Sequence, residues 1–193
     1  MGVRTQDGRE ITAGRAVLAG TVAPVLYRDL VGFEHLPSQL VSDLRTFQRD
    51  SSTVKVDWSL DAPIPWTAAD ARRAGTVHLA DGVDALTRTT SQLARGLVPD
   101  QPFLVMGQYS MFDETRQPPG KETAWAYTHV PQSVKGDAGG DELSGRWDQS
   151  EAERFADRME AEIEHRAPGF RGLIRARHIF TPPALEDHAT AGT

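Results

Sequence analysis

The chain has 193 residues, a formal net charge of −6 and no cysteine. The length allows one hydrophobic core without staples. The missing cysteines exclude disulfides, thiolate zinc sites and Cys nucleophiles, and the acidic balance argues against a general nucleic-acid binder. The apolar runs are too short for a transmembrane helix. The opening MGVRTQDGRE has no apolar signal region, so the cytoplasm is the expected location.

In chain order, Val3–Thr5 and Glu10–Ile11 flank Asp7-Gly8, a turn pair that predicts a β-hairpin. The run Ala16–Ala19 reads as a short buried strand ending at Gly20. Pro24 suits the first turn of a short helix carrying Leu26, Leu30 and Val31, stopped by Gly32. Ser38 is expected to cap a second helix, with Leu40, Val41, Leu44 and Phe47 on one face.

The clearest pattern is Val54, Val56, Trp58 and Leu60 alternating with Lys55, Asp57 and Ser59. Period two means a half-buried strand, ended by Asp61 and the prolines at 63 and 65. Strands are also predicted over 76–80, 103–110, 123–130 and 173–180. In the 123–130 strand Trp125, Tyr127 and His129 share a face. A helix from Val83 is expected to turn Leu86, Thr90 and Leu93 inward and to end before Gly96. Residues 131–147, rich in glycine and charge, read as a mobile surface loop or insertion.

The strongest helix spans 148–166. Ser150 and Glu153 form a capping-box pattern, and Phe155, Met159 and Ile163 face inward. Glu151, Glu153, Glu160, Glu162 and Glu164 read as its solvated face. Pro182-Pro183 breaks the last strand, and the final ten residues read as a tail. Together these elements predict an α+β fold: a mixed, mostly antiparallel sheet with helices on one face.

Catalytic motifs are absent. There is no G-x-G-x-x-G, no G-x-S-x-G, and no His pair spaced for a metal on one helix face. No catalytic residue and no metal ligand is expected. Gly120-Lys121 is followed by Glu122, which does not fit a P-loop. His78 and His129 lie in predicted strands, where a hydrogen-bonded wall residue is the simpler reading than a ligand or base. Trp58, Trp66, Trp125 and Tyr127 suit the wall of an apolar pocket, and they suit a packed core equally.

Five segments carry a resemblance: KVDWSLDAPIPW (55–66), AGTVHL (74–79), PFLVMGQYSMFDETRQPPGKETAWAYTHVP (102–131), FADRMEAEIEHRAPGF (155–170) and ARHIFTPPALE (176–186). The longest is the most specific. The chain resembles the middle portion of phytoene-desaturase-like, FAD-dependent oxidoreductases, of the phytoene dehydrogenase-related or pyridine nucleotide-disulphide oxidoreductase domain 2 type. The resemblance covers most of the chain apart from the Gly-rich loop and the last few residues. It implies a flavin amine-oxidase-like substrate domain over 36–186, after a flavin-domain edge over 1–35 and before a tail over 187–193.

It also implies a role. The flavin carries the hydride chemistry, while the protein orients an apolar substrate and excludes water. The expected pocket wall is Trp58, Trp66, Gln108, Ser110, Trp125, Tyr127 and His129. The chain departs from the family in lacking the FAD pyrophosphate fingerprint, the C-terminal Gly-rich segment, and an acidic residue before Pro24. The expectation is therefore a substrate portion inactive alone, with no FAD of its own. It would be a truncated chain, a gene fragment, or half of a split enzyme completed by a flavin-binding chain or by self-association. The alternative is a stand-alone module for a hydrophobic ligand or a protein, without redox activity.

Overall fold

The computed structural model describes residues 1–190, with side chains through Asp187. The chain divides into two compact units: Met1–Asp50 with the chain from Glu186 onward, and Ser51–Leu185.

In the first unit, strands β1 (Gly2–Arg4) and β2 (Glu10–Thr12) form the expected hairpin, with Val3 opposite Ile11. The run Ala16–Ala19 is not a strand: it is irregular, and Leu18 is 94% exposed. Among the described residues the hairpin pairs only with itself and offers this four-residue run no ladder. Val25–Val31 winds as a short π-type helix after Pro24, closed by Gly32 N–H donating to Tyr27 C=O at 3.1 Å. Helix α1 spans Ser38–Arg45. Pro37 occupies the capping position and Ser38 is already helical, so Ser38 makes no cap bond. Phe47 lies beyond the helix and is exposed, and no residue in 1–50 is buried.

The second unit holds the core. Strand β3 (Ser52–Leu60) is followed by β4 (Thr76–Leu79), helix α2 (Val83–Ala94), β5 (Leu97–Val98), β6 (Leu104–Gln108), β7 (Glu122–Val130) and β8 (Gly136–Asp137). Then come α3 (Gln149–Arg166), the single turn α4 (Phe170–Leu173), β9 (Ile174–Phe180) and α5 (Pro182–Thr190). The main sheet has five strands in the order β4-β6-β7-β3-β9, every neighbouring pair antiparallel. The fold is α+β, as the sequence pattern implies. Pro182 ends the strand and also opens α5, so helix replaces the expected tail through Thr190. The rest of that predicted tail, 191–193, lies outside the described residues.

The alternation in β3 lays Val54, Val56, Trp58 and Leu60 on one face. There they meet Leu104 and Met106 of β6, Ala124 and Ala126 of β7, and Phe155, Met159 and Ile163 of α3. Trp58 packs edge-on against Phe170 at 5.6 Å. This face is the core.

Helix α2 docks differently from expectation. Thr89 and Gln92 are its buried residues, while Leu86 and Thr90 are exposed. The surface beneath it is a polar turn: Gln92 Nε2 donates to Asp100 Oδ1 at 2.9 Å, and Thr89 Oγ1 to the Gln101 carbonyl at 3.2 Å. Hydrogen bonding, not apolar periodicity, sets that face.

Helix α3 is capped by Asp148, whose side chain accepts from Glu151 N–H at 3.0 Å; Ser150 is already inside the helix. Glu151 and Glu160 are buried, which corrects the solvated-face reading of the glutamates. The segment 131–147 is likewise a built element. Its β8 pairs in parallel with β5, and Leu143 and Trp147 enter the core. Arg158 donates to Asp137 on both oxygens at 2.8 Å and to the Pro99 carbonyl at 2.7 Å. Gly139 makes this possible, because a Cβ there would sit 2.4 Å from Arg158 Cζ.

Glu151 ties the other end of the loop. Burial pushes its pKa up, but the Ser144 hydroxyl and the amides of Ser144, Trp147 and Gly145 outweigh that and hold the carboxyl at about 2. The four bonds measure 2.6, 2.9, 3.0 and 3.1 Å. The folded pKa lies below the ordinary 4.5, so this stabilisation is fully present above pH 4.5 and fades as pH falls toward 2. Glu151→Gln should cost about 3 kcal/mol near neutral pH. The gap from wild type, read by chemical denaturation, should narrow over that acid window. A pH-independent gap would contradict the assignment.

Candidate functional site

The opposite face of the sheet carries the other half of each alternation. Strand register sets its rows. Thr76, Gly107, Trp125, Asp57 and His178 run across the five strands. The next row is His78, Val105, Tyr127, Lys55 and Phe180. Helix α3 covers the far side, so this face stays partly exposed: Trp125, Tyr127 and His129 are half-buried.

The aromatic side chains form a ladder along β7. Trp125 and Tyr127 stack with ring centroids 6.0 Å apart and planes 16° from parallel, and Tyr127 meets His129 edge-on at 6.0 Å. Trp125 Nε1 donates to the Tyr109 hydroxyl at 2.9 Å, and the Arg116 guanidinium lies 4.8 Å from the Tyr109 ring. His129 Nδ1 is buried and meets no hydrogen-bond partner among the described residues. Gly107 lets the indole lie flat: a Cβ there would come within 2.5 Å of Trp125 Cε2.

An open trough of about 420 Å³ lies at this end of the face. Its floor includes Asp57, Ser59, Thr123, Trp125 and His178, and Tyr109 and Arg116 stand at its rim. Asp57 Oδ1 accepts from Lys55 Nζ. Lys55 also lies 5.2 Å from the Phe180 ring centre. The volume is within the range of small-molecule clefts.

The seven residues singled out from sequence divide between the two faces. Trp125, Tyr127 and His129 share the open face. Trp58 and Trp66 lie in the core, where Trp58 Nε1 donates to Glu160 Oε1 and Trp66 Nε1 to Gln108 Oε1, both at 2.9 Å. Gln108 is buried and donates onward to the carbonyls of Ala71 and Ala74. Ser110 is tied to the buried Glu122 carboxylate through its hydroxyl and its amide. Asp57, Lys55 and His178 went unmarked in the sequence. Lys55 and Asp57 are the polar half of the clearest alternation, and that period was the available signal.

Among the described residues, no three His, Asp or Glu side chains gather as metal ligands, and no helix is long and apolar enough to cross a membrane. The tight strand-to-helix passage from β4 to α2, the place in the fold where a dinucleotide cradle would sit, has one glycine, Gly82, and an acidic first turn at Asp84. That charge opposes a phosphate at the helix start. These residues do not fit the FAD pyrophosphate.

Over 196 aligned positions, 96% of this chain, the sequence is 30% identical to pyridine nucleotide-disulfide oxidoreductase domain-containing protein 2 of Mus musculus. The Rattus norvegicus protein of the same name is 28% identical over the same span. The match takes in 32% of each of those proteins. The chain thus spans about a third of the length of the curated relatives it matches. No family model matches it. The chain is related to part of proteins named for an oxidoreductase domain.

Gly107→Ala tests the flat indole. It should displace Trp125, lose the bond to Tyr109, and cost about 1–3 kcal/mol of stability. Near-ultraviolet circular dichroism and denaturation read both effects. An unchanged aromatic spectrum would sink the idea.

Proposed function

We propose that the chain is the substrate-binding portion of an FAD-dependent oxidoreductase, and that the open sheet face walls a pocket over a flavin held by residues outside this chain. The observation that carries the reading is the sheet itself: α3 packs on one face, and the half-exposed other face bears an aromatic ladder and a trough. The similarity to oxidoreductase-domain proteins along nearly the whole chain supports it. The phytoene-desaturase likeness belongs to this proposal too, through the segment 102–131 that supplies β6 and β7. On this reading Trp125, Tyr127 and His129 contact the substrate. Trp58, Trp66, Gln108 and Ser110 act behind them by holding the strands in register. The chain's own part is to bind, orient and exclude water. The flavin comes from a partner chain or from further segments of a longer protein.

Two measurements on the 193-residue chain test the division of labour. After incubation with FAD and removal of free dye, the visible flavin bands should be absent. Nile red should gain emission with the wild type, and Trp125→Ala should weaken its binding about tenfold. Stoichiometric flavin retention would overturn the division, and indifference of Nile red to the substitution would overturn the pocket.

A further inference from the structure

Within that reading, and resting on it, the trough floor carries information about the substrate's chemistry. A hydrocarbon laid across this face would cover Asp57, Lys55 and His178 as well as Trp125. Stripping water from a carboxylate and an ammonium without replacing their hydrogen bonds is costly. A purely apolar occupant is therefore poorly matched to this floor.

Asp57 is the group with capacity to spare. Its Oδ1 accepts from Lys55 Nζ, and no bond from any described residue reaches Oδ2. In the strand register it sits between Trp125 on one side and His178 on the other. Its side chain is 40% exposed. Ser59, next along the same face of β3, is exposed and adds a hydroxyl. Arg177, which also borders the trough, is committed to Glu153, Asp157 and Glu160. At the rim, Arg116 is paired with Asp113 at 3.1 Å. The floor thus offers an unfilled acceptor beside a flat aromatic surface, while the nearby cations already have partners.

We infer that the ligand of this trough is amphipathic. A flat apolar body lies against Trp125, and one hydrogen-bond-donating head, an amine or a hydroxyl, donates to Asp57 Oδ2. Lys55 occupies Oδ1 and leaves Oδ2 to the ligand. A donor head replaces the water that Oδ2 loses, whereas a bare hydrocarbon leaves it unpaired and a carboxylate head is repelled.

Three matched probes test this on the full chain by calorimetric titration: naphthalene, naphthylmethylamine and naphthoate. Naphthylmethylamine should bind about tenfold tighter than naphthalene, the scale of a charged hydrogen bond, and naphthoate weakest. Asp57→Asn should bring the amine to within about threefold of naphthalene, and naphthalene itself should bind as well or better, because an amide costs less to desolvate than a carboxylate. Asp57→Glu should restore part of the preference, which separates acceptor loss from misfolding. If naphthalene binds as tightly as the amine, or the preference survives Asp57→Asn, the donor-head inference fails while the pocket stands. If none of the probes binds, the pocket reading falls with it.

Discussion

The Glu160 carboxylate accepts from Trp58 Nε1 at 2.9 Å and from Arg177 at 2.8 Å. Those partners lie on β3 and β9, while Glu160 lies on α3, so one buried group ties the long helix to two strands. Arg177 reaches Glu153 and Asp157 on the same helix. Burial draws its pKa down, but the bonds to Glu160, Asp157 and Glu153 outweigh that and hold the guanidinium firmly charged. Removing Arg177 would leave the buried Glu160 carboxylate without its cation, which costs more than the intact pair contributes. The network therefore fixes which side of the sheet α3 covers. The opposite face is left uncovered by that helix.

A strand with period two must do two things at once. In β3 the even positions from Val54 to Leu60 are sealed under α3, and the odd positions Thr53 to Ser59 look the other way. The nine paired residues with β7 bring Ala124 and Ala126 against the core and Trp125 and Tyr127 to the open side. A one-residue slip would exchange the two sets. Register is thus the common cause of a packed interior and of the aromatic ladder. Glu122, at the end of this ladder, anchors the turn carrying Tyr109 and Ser110 by accepting their amides.

The sheet was legible because its signal is local. The alternation in 54–60 and the apolar stripe Phe155, Met159 and Ile163 each follow from one element's own period. What escaped depended on partners outside the element itself. The glutamates at 151 and 160 look alike as letters, yet one is enclosed by the amides of Ser144, Gly145 and Trp147 and the other by Trp58 and Arg177. The loop 131–147 reads as mobile by its glycines, but Arg158, on a helix that follows it, holds it. Ala16–Ala19 is the reverse case, an apolar run with no neighbouring strand. The face of α2 was missed because a polar turn beneath it, not apolar area, selected Thr89 and Gln92.

The tryptophans show why residue type alone could not separate wall from core. All offer the same area and one N–H donor. Trp58 gives its N–H to Glu160 and Trp66 to Gln108, both buried acceptors on the sealed side. Trp125 gives its own to the Tyr109 hydroxyl on the open side, and its ring rests on the backbone that Gly107 leaves bare. An indole whose donor is absorbed in the interior is part of the packing. An indole on the half-exposed face, with its donor satisfied by the protein, borders the trough. That face adjoins a carboxylate with an open acceptor, so aromatic surface and hydrogen-bonding capacity arrive at the same place through the register that also builds the core.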